Sequence, residues 1–259
     1  MTELGAGETP GQIPTNMRLL LLLEHVARAG VPVTPASVND ALGLPKPTIH
    51  RLFATAEAEG FLQRDIDGRS YSPGRRMRIL AINTLSAERV RTVRVAILKS
   101  LAEKVGETCN IAIPEREGMY YLDRVETHWP LRIQLPIGTE VPFHCTASGK
   151  MYLSTLRPDY LERFLKNYTL TPMTDQTVTD SAELTALLDK ARAEGFATDN
   201  EEFMDGMIAI AVPILDDRGR MLSTLSIHAP TQRRNLDDML GHLDNLKMAA
   251  AELGVIVGR

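Results

Sequence analysis

Basic and hydroxyl side chains cluster where one predicted helix begins. The stretch GLPKPTIHRLFATAEAEGFLQRD, residues 43–65, has prolines at 45 and 47 and then neither proline nor glycine until Gly60. Proline is tolerated in the first turn of a helix, so this spacing predicts a helix that begins near residue 46. The N–H groups and the dipole at a helix start favour an anion such as phosphate. The candidates for contact with phosphates or bases are Lys46, Pro47, Thr48, His50, Arg51 and Thr55.

The local charge of this region indicates a polyanionic partner. The whole chain has a formal net charge of −4, which on its own disfavours nucleic acid. Residues 46–94, however, contain ten basic and five acidic side chains, a net charge of +5. A basic patch on an acidic protein is typical of a polyanion-binding surface. Arg89, Arg91 and Arg94 could extend this patch, but charged runs are usually solvated and we favour that interpretation.

The neighbouring segments predict a helix-turn-helix. Asn16 can cap a first, leucine-rich helix that runs to Ala29. Thr34 can cap a second helix with Pro35 at its first position, and Gly43 ends that helix. A stripe of the third helix spans an arc of about 100° and faces the core; it consists of Ile49, Leu52, Phe53 and Ala56. The alternative is an ordinary packed helix with a solvated face.

A β-hairpin is predicted directly after the third helix. Strand-like residues lie on either side of Asp67-Gly68, a dipeptide that favours a tight hairpin turn. Arg64 and Arg69 flank the tip, as expected for a wing that contacts the DNA backbone without reading sequence. A plain surface hairpin is the alternative. These patterns predict a winged helix-turn-helix DNA-binding domain over residues 16–74, preceded by a disordered tail over residues 1–15.

The rest of the chain alternates strand and helix patterns. Strand-like segments are residues 108–125, 131–144, 208–215 and 221–228. Helical segments begin near Ser148 and also cover residues 158–166, 181–194 and 236–257. This order predicts an α+β fold class, with a mainly antiparallel sheet flanked by helices over residues 106–259. Residues 75–105 are predicted to form a linker helix and the first helix of the second domain.

The segment CTASGK, residues 145–150, could bind a carboxylate. Backbone N–H groups at a helix start form a nest for an anion, to which Thr146 and Ser148 could add hydroxyl donors. Alternatively, one hydroxyl only caps the helix and Gly149 is only a close packing point. Further along, Ser226 and His228 alternate with Ile227 and therefore point to the same face of a strand.

Three stretches, in order, resemble the IclR family of bacterial transcription regulators. They are residues 43–65 with the hairpin and SPGRRMRIL that follow, VPFHCTASGKMYLS, and GFATDNEEFMDGMIAIAVPILDDRGRMLSTLSIHAP. The resemblance covers most of residues 17–250 and implies a winged helix-turn-helix followed by a GAF-like effector-binding domain. The sequence departs from the family at Pro47, where a small hydroxyl residue is more common. The resemblance implies ligand-facing positions for a small carboxylate at Ala147, Ser148, Asp199, Ala209, Ser226 and His228.

Two of these positions bear on the nature of the effector. His228 could pair with an acid, or it could be a structural histidine hydrogen-bonded to Asp199. Ala209 has no polar group, so we expect a partly apolar pocket that accepts a larger or aromatic acid. Trp129, Arg132 and His144 are further candidates near the pocket entrance, although Trp129 is more often a packed anchor than a ligand-stacking residue.

Enzymatic alternatives lack a supporting motif. Cys145 follows His144, but adjacency in sequence places a base poorly, and no G-x-S-x-G elbow or Walker motif occurs. Cys109 and Cys145, the only cysteines, have no metal-ligand spacing, so we expect no catalytic residue, no metal and no cofactor. No signal peptide or membrane span is predicted. The low cysteine content favours a reducing cytoplasm.

The sequence therefore predicts a ligand-responsive transcriptional regulator of an organic or aromatic acid catabolic pathway. Its first domain would bind a double-stranded DNA operator, and a small organic acid in the second domain would alter that binding. Two recognition helices about 34 Å apart are needed for a palindromic operator, so a homodimer or homotetramer is expected. The alternative is a metabolite sensor or protein-interaction module whose winged domain does not read DNA.

Overall fold

The chain consists of two compact units that divide between residues 85 and 86. The computed structural model describes residues 13–65, 67–85, 88–115 and 117–257. Most of the predicted tail, residues 1–12, and the side chain of Arg89 lie outside the described residues. We call the two parts the N-terminal unit and the C-terminal unit; the division falls inside residues 75–105, the predicted connecting helices.

The N-terminal unit has the helices and the hairpin of a winged helix-turn-helix. Its elements are α1 (Thr15–Ala29), α2 (Pro35–Leu42), α3 (Lys46–Ala58), β1 (Leu62–Arg64), β2 (Tyr71–Pro73) and α4 (Arg75–Leu85). The first helix begins earlier than predicted, because Pro14 and not Asn16 occupies its N-cap position. Thr34 caps α2 as predicted, and its hydroxyl accepts a hydrogen bond from the Ser37 N–H.

A single apolar core holds α3 against the hairpin. Phe53 of α3 and Tyr71 of β2 are buried, with ring centroids 4.9 Å apart. Each large apolar side chain buried in this way contributes about 1.5–3 kcal/mol to stability. The remaining buried members are Leu22, Val26, Val38, Leu44, Ile49, Ala56 and Leu62. This packing fixes which face of α3 stays in solvent.

The C-terminal unit is built on an antiparallel sheet. Its elements are α5 (Glu88–Val105), β3 (Thr108–Pro114), β4 (Gly118–Val125), β5 (Glu140–Pro142), α6 (Ala147–Thr155), α7 (Pro158–Asn167), α8 (Ser181–Glu194), β6 (Ala197–Asn200), β7 (Met207–Leu215), β8 (Met221–Pro230), α9 (Leu236–Leu240) and α10 (Leu243–Val257). The strand order is β5-β4-β3-β8-β7-β6, and every pairing among the described strands is antiparallel. The predicted α+β fold class is confirmed.

Helices cover both faces of this sheet. On one face, α6 packs through Ala147 and Met151 against Ala197, Ala209 and Ala211. These small side chains let the helix approach the strands closely. On the opposite face, α10 contacts α5 and β7, and α5 contacts β4. The sheet is thus a middle layer whose α6-facing side is closed off from solvent.

The sequence pattern was wrong in three places in this unit. Residues 131–138 are irregular and not a strand, because Pro136 and the positive φ of 92° at Gly138 interrupt the pairing. The last predicted helix is divided at Gly241 into α9 and α10. The edge strand β6 was not predicted, since four residues are too few to show a period of two.

Candidate functional site

The solvent-exposed face of α3 carries most of the candidate DNA-contacting side chains. Ile49 and Phe53 are buried on the opposite face, which confirms the predicted core-facing stripe. Thr48 is half-buried in the first turn. The exposed candidates are Lys46, Pro47, His50, Arg51 and Thr55. Two cations and a histidine therefore lie along the first two turns of a helix whose N-terminus is open to solvent.

A side chain that the sequence reading overlooked fixes the turn before α3. The Asn39 amide nitrogen donates to the Leu44 carbonyl at 2.8 Å, and its amide oxygen accepts from the Leu44 N–H at 2.9 Å. Gly43 lies between them with φ at 61°, a left-handed conformation that favours glycine. These two hydrogen bonds hold α2 and α3 in one arrangement. An asparagine one turn before a terminating glycine was the available signal.

The wing uses one of its two predicted arginines for its own structure. The Arg64 guanidinium donates to Glu57 at 2.7 and 3.0 Å and to the Gly68 carbonyl at 3.1 Å, and it lies over the Tyr71 ring. The bond from Arg64 holds the pKa of Glu57 below its usual value. Arg69, in contrast, is exposed at the tip. Arg64 therefore braces the wing against α3, and Arg69 is better placed to reach a phosphate.

The interpretation of Arg94 as a solvated residue was wrong. Its side chain is 1% exposed and contacts the equally buried Asp123 of β4 at 2.7 Å. Arg91, which is half-exposed, donates to the other oxygen of Asp123 at 3.1 Å. These contacts fasten α5 to the sheet. The sequence could not show them, because the carboxylate lies about thirty residues away and on another element.

A row of polar side chains lines the α6-facing side of the sheet. Directly paired residues of antiparallel strands point to the same face. Asp199 pairs with Ala209, which pairs with His228; one step along, Ser226 pairs with Asn110, which pairs with Arg124. We call this surface the polar floor; it consists of Asp199, His228, Ser226, Asn110 and Arg124. All five side chains are buried.

Asp199 lies at one end of the polar floor, beside a buried ion pair. One carboxylate oxygen accepts from the backbone N–H groups of Glu202 and Phe203, at 2.9 and 3.3 Å. The other oxygen has no hydrogen-bond partner among the described residues. Burial raises the pKa of Asp199 to about 7, against the attraction of Lys150, which forms an ion pair with Glu202. Near neutral pH the carboxyl can therefore donate as well as accept.

The raised pKa of Asp199 predicts a specific pH dependence of stability. The folded chain keeps this proton up to about pH 7, whereas the unfolded chain loses it near 3.8, so the Asp199 contribution to stability falls as pH rises through that window. Replacing Asp199 by asparagine should therefore stabilise the variant progressively, relative to the unaltered protein, between about pH 4 and 7. Denaturant titrations across that range would measure the difference in stability between the two proteins. Both proteins contain His228, so its contribution cancels in this difference.

The exposed Asp205 supplies the control for this measurement. Asp205→Asn should leave the stability difference level across the same pH range. An Asp199→Asn difference that is equally level would contradict a raised pKa at Asp199.

His228 is neutral and bonds to Ser226. Its Nε2 lies 2.9 Å from the Ser226 hydroxyl, and Nδ1 has no partner within the described part of the chain. Burial first, and then the positive charge of Arg124, lower the pKa of His228 to about 3. The alternative in which His228 is hydrogen-bonded to Asp199 is wrong, because Nε2 bonds to Ser226 and Nδ1 has no partner among the described residues. His228 can contribute a hydrogen bond without charge.

The start of α6 has features of both interpretations of the CTASGK segment, the capped helix and the ligand site. The Thr146 hydroxyl donates to the Pro142 carbonyl at 2.7 Å and accepts from the Gly149 N–H at 3.1 Å, so it caps the helix. A Cβ on Gly149 would overlap the backbone of Phe143, so this glycine is a close packing point. Ala147 packs against the sheet. The Ser148 hydroxyl is buried and has no partner among the described residues, so it stays a candidate for a ligand.

Arg124 and Asn110 are polar-floor residues that sequence reasoning missed. Asn110 lies in the apolar strand TCNIAI and is fully buried, and one lone amide in such a strand was the available signal. Arg124 lies two residues before Glu126 in a stretch of alternating charge that reads as a solvated face. Its burial depends on the register between β4 and β3.

The three residues predicted near the pocket entrance have separate roles. Trp129 is 53% exposed, with the Arg233 guanidinium 5.3 Å above its ring, and it lines a surface groove of about 960 Å³ beside α5. Arg132 donates to Glu126 at 2.6 Å. His144 is buried, and its Nε2 lies 2.9 Å from the Thr171 carbonyl. Only Arg132 connects to the polar floor, through the carboxylate that it shares with Arg124.

The chemistry of a thiol enzyme is absent from this region. Burial, with the negative charges of Asp199 and Glu202, raises the pKa of Cys145 to about 12, so its thiolate is not formed near neutral pH. Burial also raises the pKa of Cys109. Within the described residues, no group of histidine, cysteine and carboxylate side chains is arranged to hold a metal ion. In the same residues, no helix has the length and apolar character needed to cross a membrane.

The sequence and the fold both match known regulators. Residues 17–65 match the IclR helix-turn-helix domain, and residues 82–254 match the C-terminal domain of the bacterial transcriptional regulator IclR. The chain is 36% identical over 237 residues to the probable transcriptional regulator SauR of Cupriavidus necator. This alignment covers 92% of this chain and 94% of that protein.

Solved structures show the same similarity. The Thermotoga maritima IclR structure matches with a TM-score of 0.63 and 25% identity, over 95% of this chain and 99% of that chain. A double mutant of the inducer-binding domain of the Acinetobacter transcription factor PobR, in complex with 3-hydroxybenzoic acid, matches with a TM-score of 0.59 and 26% identity. That match covers 63% of this chain and 96% of that chain.

Proposed function

This chain belongs to the IclR family of bacterial transcriptional regulators, and from that premise we propose that it controls a catabolic pathway for a small organic or aromatic acid. The N-terminal unit, residues 16–74 with the helix that follows, binds double-stranded operator DNA. The part of the C-terminal unit from residue 106 onward binds the acid. A regulator that reads an operator acts where the genome is, in the bacterial cytoplasm.

The exposed face of α3 is the observation that supports DNA reading. Lys46 and His50 lie beside the open N-terminus of the helix, where a phosphate is favoured. Arg51, the residue after His50, and Thr55, one turn beyond Arg51, are placed where side chains reach base edges in the major groove. Arg69 at the wing tip contacts the backbone of the DNA. Arg64 acts indirectly, since it holds the wing in place.

The polar floor is the proposed effector site. Ser148, Asp199 and His228 each present a buried polar atom without a partner among the described residues, and such atoms carry a cost unless a ligand or water satisfies them. Ala209 lies between Asp199 and His228 and packs against α6, so the middle of the site is apolar. The aromatic acid bound by the related PobR domain supports an organic acid here. Thr146 is left out, because its hydroxyl is used in capping α6.

Effector and operator binding are coupled in this proposal through β4 and α5. Arg124 of β4 points to the polar floor, and its neighbour Asp123 points to the opposite face and holds Arg94 of α5. A ligand can change DNA affinity only if it binds one arrangement of the protein better than another. A shift of β4 on ligand binding would move α5, which belongs to the segment 75–105 that joins the two units.

A homodimer or homotetramer is part of the proposal. A palindromic operator presents two half-sites about one helical turn apart, and each needs its own recognition helix. Leu20, Ile79 and Leu80 of the N-terminal unit are 56%, 42% and 59% exposed, and a second copy of the chain would cover such side chains.

Operator binding should depend on Arg51. Replacement of Arg51 by alanine is expected to weaken binding to the DNA upstream of the protein's own gene by about 10- to 100-fold, because one base-reading arginine contributes about 1–3 kcal/mol. The affinity of the unaltered protein should also fall steeply between 50 and 200 mM salt. Fluorescence anisotropy with this DNA and with scrambled DNA, at both salt concentrations, measures both effects.

Arg157→Ala is the matched control, since Arg157 is an exposed arginine of the C-terminal unit and should not affect DNA affinity. If selection from random DNA gave no preferred sequence, and Arg51→Ala bound DNA as tightly as the unaltered protein, DNA reading by α3 would be disproved. A module that docks a protein through its winged domain would then be the better interpretation.

A further inference from the structure

Arg124 is a buried cation whose charge is poorly compensated. Its side chain is only 3% exposed. The carboxylate that it contacts, Glu126 at 3.3 Å, is 37% exposed and lies closer to Arg132, at 2.6 Å. The other acceptors of Arg124 are neutral, namely the Asn110 amide oxygen at 2.9 Å and the Ile133 carbonyl. Burial lowers the pKa of Arg124, which indicates that the folded protein stabilises this charge less than water does.

The Asn110 amide beside Arg124 is a hydrogen-bond donor without a partner among the described residues. The Asn110 side chain is fully buried, and because its oxygen bonds to Arg124, its amide nitrogen points elsewhere and has no partner among the described residues. Ser226 lies directly opposite Asn110 on the next strand and bonds to His228. This end of the polar floor therefore offers a cation, an amide donor and a hydroxyl, the set that binds a carboxylate.

The other end of the polar floor disfavours an anion. Asp199 and Glu202 are both buried there, and the nearby Lys150 is already paired with Glu202. A carboxylate placed beside them would meet the charge of Glu202, and that of Asp199 once the pH exceeds about 7, in a medium of low dielectric constant. The free oxygen of Asp199 and the Ser148 hydroxyl suit a neutral oxygen instead, such as a hydroxyl or a carbonyl. Ala209 separates the two ends.

We infer that Arg124 and Asn110 bind the acid group of the effector, while Asp199 and Ser148 bind a neutral oxygen at its other end. This inference rests on the proposed function and deepens it, because it fixes the orientation and the chemical class of the ligand. The effector is a small acid that carries a hydroxyl or carbonyl group away from its carboxylate. Arg124 and Asn110 select charged over uncharged ligands. Asp199 and Ser148 select acids that carry the hydroxyl or carbonyl group over acids that lack it.

The first test uses matched probes with the unaltered, full-length protein. On each of two scaffolds, calorimetry compares a hydroxy acid, its uncharged amide and the acid without the hydroxyl: 3-hydroxybenzoate, 3-hydroxybenzamide and benzoate, then 4-hydroxybutyrate, 4-hydroxybutyramide and butyrate. The hydroxy acid of at least one scaffold should bind, and its amide and its plain acid should each bind at least 10-fold more weakly. An amide that binds as tightly as its acid would overturn the inference.

We call Arg124 and Asn110, which bind the acid group in this inference, the anchor. The second test replaces each anchor residue by a side chain of similar shape. Asn110→Asp keeps the oxygen that accepts from Arg124 but replaces the donor amide by a carboxylate oxygen, so the acid should bind about 30-fold more weakly or worse. Arg124→Gln should have a similar effect. Asn167→Asp, on the exposed surface of α7, is the matched control and should bind like the unaltered protein. The amide comparison above does not depend on any variant folding.

The outcomes separate this inference from the proposed function. Asn110→Asp should still bind operator DNA, because Asn110 lies in the C-terminal unit, but it should no longer respond to the acid. An acid that binds the unaltered protein and both anchor variants equally would overturn the anchor and leave the acid-responsive regulator standing. If none of the six probes bound the unaltered protein, the inference and the proposed acid effector would both be rejected, and DNA reading would stand on its own test.

Discussion

Replacing Asp123 by leucine is expected to lower the free energy of unfolding of the C-terminal unit by about 3–5 kcal/mol. The change leaves the Arg94 guanidinium, which is 1% exposed, without the carboxylate that balances its charge. Arg94→Met should cost less, because Asp123 keeps its contact with the half-exposed Arg91. The double variant, with leucine at 123 and methionine at 94, should recover most of the loss, since two apolar side chains replace both charges.

Tryptophan fluorescence during denaturant titration measures this effect in the correct unit. Trp129 is the only tryptophan of the chain and lies in the C-terminal unit, so its signal does not report the unfolding of the N-terminal unit. Asp189→Leu is the control, because its ion pair with Arg192 is on the surface and should contribute at most about 1 kcal/mol. A loss in Asp123→Leu no larger than in this control would show that the buried contact does not hold α5 to the sheet.

Replacing Gly149 by alanine should destabilise the C-terminal unit by about 3 kcal/mol, at the upper end of the usual range for overpacking. The added Cβ would overlap the backbone of Phe143, which cannot move away as a flexible side chain can. The cost outweighs the gain of about 1 kcal/mol that alanine gives over glycine inside a helix. Helix α6 would have to move off the sheet, and the polar floor beneath it would open.

The same fluorescence titration measures the Gly149 variant. Gly241→Ala is the control, since Gly241 has a helical φ of −58° and its added Cβ would come no closer than 3.3 Å to the Asp238 carbonyl. We expect the control to change stability by less than about 1 kcal/mol. Equal stability of the two variants would mean that α6 has room to shift, and that Gly149 is not needed for close packing.

The sequence by itself determined the local elements and the family. Prolines at 35 and 47, the cap at Thr34 and the stop at Gly43 set the helices of the N-terminal unit, because each acts on the backbone of its own segment. The exposed face of α3 followed from its apolar period. The antiparallel character of the large sheet was also predicted correctly, although the short edge strand β6 and the break at Gly241 were not.

Only the tertiary structure decided how the charged side chains are used. Arg64, Arg94 and Arg124 all look like surface cations in the sequence, yet one braces the wing, one is buried against Asp123 and one ends in the polar floor. Glu57, Asp123 and Asn110, which fix these three side chains, lie 7, 29 and 14 residues away from them, and the register that brings Asn110 to Arg124 is not specified by the local pattern. Whether a charged side chain is buried depends on how the strands pair. Its electrostatic environment consists of contacts that form only in the folded protein.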